Sequence, residues 1–176
     1  HRDVKPANMI IDQKTNQLQL TDFGVARIVE EGGDPRATIQ TEFGEIAGTI
    51  SYMSPERFAL EPGNVDHRCD VYALGVVGYE LLSESLPINV RSNSIVDAIQ
   101  AVEHQPPVPL GHSVPALRGD LEVIFAKALE KDPGQRYQSA RDLADDVRRF
   151  LNNEPITARP PSRSYLVRKF VSRNRA

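Results

Sequence analysis

The sequence predicts a mainly helical α+β fold with one small β-hairpin near its start. Helical patterning recurs from residue 67 onwards, whereas paired β-prone runs occur at residues 9–20. The 176 residues, 40% of them hydrophobic and 26% charged with a formal net charge of -3, suffice for one domain with a core. This composition is that of a globular protein and argues against a disordered or nucleic-acid-binding chain.

Cysteine content and hydropathy indicate the cellular compartment in which the chain is expected. The single cysteine, Cys69, excludes an intramolecular disulfide and a cysteine-based metal cluster, as is usual in a reducing compartment. The best apolar stretch, residues 71–82, carries Glu80 and is shorter than the ~20 residues needed to cross a bilayer. We therefore expect a cytoplasmic location.

The first eight residues, HRDVKPAN, contain side chains suited to phosphoryl transfer. Asp3 can take or orient a hydroxyl proton, Lys5 can neutralise phosphate charge, and Asn8 can ligate a magnesium ion. A charged surface loop contains the same combination often enough that the string alone leaves both interpretations open.

The predicted hairpin follows this loop directly. Residues 9–11 and 18–20 are its β-prone runs, and turn-forming residues lie between them at 12–16. The hairpin leads into Asp22 of an Asp-Phe-Gly string, at the end where Asn8 enters. Two oxygen ligands at the ends of one hairpin can share a magnesium ion with nucleotide phosphates. An ordinary turn is the alternative explanation of this string.

Taken together, HRDVKPAN, the hairpin, DFG and GTISYMSPE at residues 48–56 resemble the catalytic half of a eukaryotic-type protein kinase. The resemblance runs from His1 to about Arg159, and DVYALG and FLNNEPITARP are similar to bacterial serine/threonine kinases. It implies the helical C-lobe of a kinase, with the hairpin bearing the catalytic and metal-binding loops. The implied division is a kinase portion at residues 1–158, with an activation segment at about 22–56, and a basic linker or juxtamembrane tail at 159–176.

The resemblance also implies an activity, the transfer of the γ-phosphate of ATP to serine or threonine hydroxyls of protein substrates. Asp3 would accept the hydroxyl proton, Lys5 would contact the transferred phosphate, and Asn8 and Asp22 would hold Mg²⁺. The hydroxyl of Thr49 would bridge Asp3 and Lys5, as in serine/threonine rather than tyrosine kinases.

Regulation by phosphorylation is implied for the activation segment. Thr41 is the first candidate acceptor and Thr38 the second, and Arg2 would bind the phosphate. A second copy of the chain would be the partner that phosphorylates it in trans. Ordinary polar loop residues remain the alternative for both threonines.

Residues 67–83 form the strongest predicted helix, with Asp66 as its N-cap. Asp70 is a carboxylate within it that we expect to accept backbone hydrogen bonds, and the resemblance directs it to the catalytic loop. The helix is apolar nearly all round, which indicates a buried central element. Its apolar positions are Val71, Leu74, Gly75, Val77, Gly78, Leu81 and Leu82.

Three amphipathic helices are predicted after the central one, with Pro106 to Pro109 excluded from helix. Ser94 and Ser139 are typical starts for the first and third, and Asp120 begins the second. The predicted inward faces are Ile95, Ile99 and Val102 in the first, Ile124, Phe125, Ala128 and Leu129 in the second, and Leu143, Val147, Phe150 and Leu151 in the third.

An ion pair between Glu56 and Arg136 is implied by the resemblance, which places an arginine in the loop before the last predicted helix. Ser54-Pro55-Glu56 stands where the family more often has Ala-Pro-Glu, a small departure that leaves the glutamate available.

The end of the chain differs in composition from the rest. From Thr157 onwards there are six basic residues and no acidic one, and Pro160-Pro161 favours a linker. The basic residues would lie against anionic lipid before a membrane anchor beyond Ala176, in the cytoplasmic part of a single-pass membrane protein. A solvated basic tail is the alternative.

The chain starts inside its first motif and contains no Gly-x-Gly-x-x-Gly string. We therefore expect a fragment without the nucleotide-clamping N-lobe, inactive alone. A non-catalytic kinase-like interaction module is one alternative. A small-molecule phosphotransferase of similar fold is another, although such enzymes generally lack the 48–56 segment and the arginine of HRD.

Overall fold

A computed structural model of the chain describes residues 1–22, 48–58, 65–90, 94–160 and 162–173. Strands β1 (Met9–Asp12) and β2 (Gln17–Leu20) form an antiparallel hairpin in which Met9 pairs with Leu20. Asp12 Oδ1 accepts the backbone N–H of Lys14 at 2.8 Å, and this bond lowers the pKa of Asp12. The predicted hairpin is confirmed, and the fold is mainly helical with this two-stranded sheet.

The central helix α1 spans Arg68–Ser83. His67 occupies the N-cap position without a side-chain cap, so the predicted cap at Asp66 is wrong by one residue. The Asp66 carboxylate still accepts the backbone N–H of Arg68 at 2.8 Å, which satisfies a donor that the helix start leaves open.

Burial of α1 follows the prediction except at its end. Val71, Tyr72 and Val76 are completely buried, but Leu81 is 76% exposed, so the expectation of an apolar residue buried there is wrong. Glycines allow α4 (Asp120–Ala128) to approach α1 closely, because a Cβ on Gly78 would lie 2.3 Å from Phe125 Cε1. The central helix is therefore largely buried except in its last turn, where Leu82 is also exposed.

Helix α2 spans Ile95–His104 and helix α5 spans Ala140–Leu151, each with the predicted serine cap. Ser94 accepts the N–H of Asp97 and Ser139 that of Asp142, at 3.4 and 3.1 Å. The predicted inward faces are confirmed apart from one position, Leu151, which is 69% exposed. Leu151 follows Leu143 by eight residues, which at 100° per residue turns it about 80° away from the buried face.

Short helix α3 (Leu110–Ser113) and the 3₁₀ turn Pro115–Leu117 were not predicted, and both follow the proline-rich stretch 106–109. Leu110 is buried at one end of α1 with Tyr79, whose hydroxyl lies 2.8 Å from Ser113 Oγ. Two hydrophobic clusters include residues of α1, one shared with α4 and α5 and the other shared with α3 and α4. These two clusters pack α1 against the neighbouring helices and hold it in the core of the domain.

Helix α6 (Arg163–Arg173) lies where a linker was predicted. Tyr165 is buried, and its hydroxyl donates to Asp120 Oδ2 at 3.0 Å, so this segment packs on the start of α4. Residues 163–173 of the predicted basic linker or juxtamembrane tail are therefore helical and packed on the domain. None of the helices in the described ranges is long and apolar enough to cross a membrane.

Candidate active site

A buried side-chain amide, that of Asn8, helps to hold the opening loop. Asn8 ends the 3₁₀ turn Pro6–Asn8, and its side chain points back into the loop. Its Nδ2 donates to the backbone carbonyl of Asp3 at 2.9 Å and to Asp3 Oδ2 at 2.8 Å. Asn8 thereby fixes both the backbone and the carboxylate of Asp3 through its Nδ2.

Lys5 joins this loop to a segment far along the chain. Its Nζ lies 3.2 Å from Asp3 Oδ2 and donates to Thr49 Oγ1, also at 3.2 Å. The Asp3 and Lys5 side chains are 17% and 21% exposed, so the pair is largely but not completely shielded from water. An acid, a cation and a hydroxyl thus meet at one point, as phosphoryl transfer would require.

The hairpin brings Asp22 to the same end as Asn8. The N–H of Thr21 donates to the Asn8 carbonyl at 2.9 Å, and the His1 ring Nε2 lies 3.0 Å from the Thr21 carbonyl. Asp22 follows with a left-handed φ of 55° and an exposed side chain. An amide oxygen and a carboxylate are hard ligands of the kind that Mg²⁺ prefers.

The donor set at the hairpin end is small. Within the described ranges there is no group of three or more His, Cys, Asp or Glu residues that could hold a metal. If Mg²⁺ is held by the oxygens of Asn8 and Asp22, waters and phosphate oxygens would complete the octahedral shell that this ion prefers.

Asp70 connects the loop to the central helix. Its Oδ2 accepts a hydrogen bond from the backbone nitrogen of His1, and its Oδ1 accepts one from the backbone N–H of Arg2, each at 2.8 Å. Arg2 adopts a left-handed φ of 66°, a strained conformation for a residue with a side chain, and these bonds hold it there. Cys69 immediately precedes Asp70 in α1. Its burial, and to a smaller extent the negative charge of Asp70, raise the pKa of the Cys69 thiol to about 11, so this thiol is protonated and unreactive at neutral pH.

Arg57 is a site residue that the sequence analysis missed. Its Nη1 donates to the backbone carbonyl of Arg2, so that Arg2 is held from both sides. No sequence pattern marks a contact between a side chain and a backbone carbonyl 55 residues away. A small cleft lies between the loop, residues 49–57 and α1, and Arg2, Asp3, Thr49, Arg57 and Asp70 are among the residues that line it.

Glu56 and Arg136 form a bidentate ion pair beneath the 49–57 segment. Arg136 Nη1 and Nη2 donate to the two carboxylate oxygens of Glu56, each at 2.7 Å. The arginine is 2% exposed, and its guanidinium lies 5.0 Å from the centre of the Tyr72 ring. Burial alone would raise the pKa of Glu56, but the hydrogen bonds and charge of Arg136 outweigh it and lower that pKa. The pair joins this segment to the loop before α5.

Two predicted regulatory residues, Thr38 and Thr41, lie outside the described residues, as does most of the expected activation segment. The structure consequently says nothing of a contact between either threonine and Arg2, whose own side chain is exposed.

A comparison with protein-family models matches residues 1–147 to the protein kinase domain. Among curated proteins, the serine/threonine-protein kinase PknB of Mycobacterium tuberculosis is 37% identical over 158 residues, which are 90% of this chain and 24% of PknB. PknF of the same species is 35% identical over 184 aligned residues, covering 97% of this chain and 37% of PknF. A probable serine/threonine-protein kinase of Streptomyces coelicolor is 35% identical over 90% of this chain.

The chain spans about a quarter of the length of the PknB protein that it matches. The match nevertheless includes the opening loop, the hairpin and the 49–57 segment, which are the parts that the structure brings together. On this evidence the chain belongs to the protein kinase family.

Proposed function

We propose that this chain carries the catalytic loop of a serine/threonine protein kinase, which transfers the γ-phosphoryl group of ATP to a serine or threonine hydroxyl of a protein substrate. The observation that carries the proposal is the position of Lys5 Nζ, 3.2 Å from both Asp3 Oδ2 and Thr49 Oγ1. The kinase portion would be residues 1–158, the C-lobe of the domain, with an activation segment at about 22–56.

Asp3 would orient the acceptor hydroxyl and receive its proton. Asn8 donates to Asp3 Oδ2 and Lys5 pairs with the same oxygen, which leaves Oδ1 as the oxygen to face the substrate. As the hydroxyl oxygen bonds to the γ-phosphorus, the bond from that phosphorus to the bridging oxygen breaks and ADP leaves. The hydroxyl proton passes to the Asp3 carboxylate.

Lys5 would stabilise the charge of the transferred group. Its ammonium is held between Asp3 and Thr49, so little reorganisation is needed when negative charge develops on the phosphoryl oxygens. Asn8 and Asp22 would hold Mg²⁺, which when bound neutralises the phosphates of ATP.

Arg2 would bind the phosphate group of a phosphorylated Thr41 or Thr38. The backbone N–H of Arg2 donates a hydrogen bond to Asp70, and its carbonyl accepts one from Arg57. The exposed guanidinium would therefore bind the phosphate from a backbone position that is fixed. A phosphothreonine carries about −1.5 to −2 charges and three acceptor oxygens, enough to order a loop against an arginine. A second copy of the protein, acting in trans, is proposed as the kinase that transfers this phosphoryl group from ATP to the threonine.

The test is phosphotransfer from labelled ATP in the presence of Mg²⁺, measured on the complete gene product. Asp3→Asn and Asp22→Ala should each reduce protein phosphorylation by about 100-fold or more, because each removes a carboxylate that has a distinct role in the step. Asp145→Asn is the matched control, since Asp145 lies on the surface of α5 and pairs only with Arg148 among the contacts described for it. Undiminished transfer in Asp3→Asn or Asp22→Ala would overturn the assignment.

A further inference from the structure

Helix α6 exposes a stripe of large apolar side chains. Leu166, Val167, Phe170 and Val171 are 41%, 62%, 60% and 43% exposed. Residues 166 and 170 are four apart, and so are 167 and 171, so the four side chains lie side by side on one face of the helix. Single exposed apolar residues are ordinary, but four adjacent ones within two turns indicate a surface that meets something other than water.

The opposite face of α6 is fixed to the domain. Tyr165 is 5% exposed and donates to Asp120 Oδ2, and Lys169 Nζ pairs with the same oxygen at 2.7 Å. Tyr165 and Lys169 are also four residues apart, which places them together on the face turned towards α4. The exposure of the stripe is therefore set by this docking, which directs it away from the core.

Charge identifies the kind of surface that would meet the stripe. From Thr157 to the end the chain has six basic residues and no acidic one. Asp120, which pairs with Arg159 and Lys169, offsets one of these charges. An apolar stripe on a short helix within a strongly basic segment is typical of helices that lie in the interface of an anionic bilayer. At 11 residues α6 is too short to span one.

We propose that α6 is an interfacial membrane-binding helix, which inserts Leu166, Val167, Phe170 and Val171 into the surface of an anionic lipid bilayer while Tyr165 and Lys169 keep it attached to the domain. This inference is independent of catalysis. It predicts that the whole domain, and not a free tail, is held against the lipid surface.

The chain contains no tryptophan, so one introduced indole reports on a single position. In the full 176-residue chain, Phe170→Trp places the indole in the stripe, and Val96→Trp places it at an equally exposed position on α2. Vesicles of phosphatidylglycerol and phosphatidylcholine should shift the emission of the indole in Phe170→Trp to shorter wavelength. The indole in Val96→Trp should be unaffected, and added salt should weaken the response because it screens the basic segment.

Co-sedimentation with the same vesicles tests the energetics. Val167→Asp should reduce the bound fraction by about tenfold or more, since it places a charge where the proposal buries an apolar group in the bilayer. Val96→Asp is a matched control, because both valines are 62% exposed and both lie on helices. Far-UV circular dichroism and urea unfolding of each variant separate lost binding from lost folding.

Three results would overturn the proposal. The first is absence of wild-type binding to anionic vesicles at low salt. The second is equal binding to pure phosphatidylcholine, which would remove the role of charge. The third is a change in oligomeric state with Val167→Asp in light scattering without any change in vesicle binding, which would assign the stripe to a second copy of the chain.

Discussion

At the scale of single residues, Arg136 is the most constrained charge in the described part of the chain. Its five N–H donors all have acceptors, two on Glu56 and one each on the carbonyls of Glu130, Lys131 and Arg68. Because the arginine is almost fully buried, its desolvation is compensated only while these partners remain. The ion pair therefore specifies one position of the 49–57 segment relative to α1.

Truncation of this arginine should be costly for stability. We expect Arg136→Met to lower the free energy of unfolding by about 3–5 kcal/mol, because the carboxylate of Glu56, only 11% exposed, would be left without its partner. Glu56→Gln combined with Arg136→Met should cost less than the sum of the two single changes, since the double variant leaves no uncompensated charge. Urea unfolding of the four proteins measures this coupling.

Arg148→Met is the matched control for that cycle. Arg148 pairs with Asp145 at 2.7 Å on the surface of α5, where its side chain is 67% exposed. Exposed pairs contribute roughly 0–1 kcal/mol, so this change should leave stability nearly unaltered. Equal losses in Arg148→Met and Arg136→Met would show that burial does not determine the cost.

The site was predictable from sequence to different extents. The spacing of Asp3, Lys5 and Asn8 follows from the loop itself, and the hairpin necessarily returns Asp22 to that loop, so local pattern was enough to nominate these side chains. Arg57 could not be found, because its contact is with the carbonyl of Arg2 and depends on how two distant segments pack. Thr38 and Thr41 stay predictions.

At the scale of elements, capping and periodicity predicted the helices but not what happens at their ends. Leu81 and Leu151 fit the apolar patterns of α1 and α5 yet are exposed, because a sequence pattern does not show where the covering elements stop. Asp146 shows the opposite failure, since it is completely buried in α5 and its partners come from residues 137 and 157–158. A buried carboxylate with distant donors has no local signature.

Asp146 fastens the segment that leads to α6. Its Oδ1 accepts the N–H of Thr157 at 2.7 Å, and its Oδ2 accepts the Thr157 hydroxyl, the N–H of Ala158 and the Tyr137 hydroxyl at 2.8–2.9 Å. Burial would raise the pKa of Asp146, but the backbone N–H groups of Thr157 and Ala158 and the two hydroxyls outweigh it and lower that pKa. The carboxylate thus remains charged inside the fold.

Asp146→Asn should lower the free energy of unfolding at pH 7 by about 2–3 kcal/mol, because the amide nitrogen cannot accept hydrogen bonds from these donors. The change should also flatten the acid limb of the stability profile. A carboxyl whose pKa is lowered on folding stabilises the fold above its unfolded pKa of about 4, and this contribution is lost as pH falls through the folded pKa.

Urea unfolding at a series of pH values between about 2 and 7 checks both parts of this prediction. Asp145→Asn, one residue earlier and on the surface, serves as the control and should change neither the midpoint nor the acid slope appreciably. An acid slope in Asp146→Asn as steep as that of wild type would contradict the assigned role of the carboxylate.

At the scale of the whole molecule, the packed helices and the catalytic loop meet through Asp70. The core clusters fix α1, and Asp70 on the first turn of α1 holds the backbone of His1 and Arg2. Val4, between the functional side chains, is 4% exposed and ties the loop to the core from inside. The geometry at Asp3 thus depends on α1 through the Asp70 side chain.

Asp70→Asn tests this dependence, because an amide has one acceptor oxygen where the carboxylate has two. We expect the variant to lose one of the two backbone hydrogen bonds and to release the strained conformation of Arg2, at a cost of about 1–2 kcal/mol in global stability. Amide hydrogen exchange of residues 2–8 should become faster, while exchange in α1 and α4 should stay as in wild type.

In the complete gene product, phosphotransfer by Asp70→Asn should fall by about tenfold or more, since a small displacement of a catalytic group is enough for such a loss. Asp97→Asn changes an exposed acid in the first turn of another helix, α2, and is the control. Wild-type exchange rates at residues 2–8 in Asp70→Asn would mean that the core does not position the loop through this side chain.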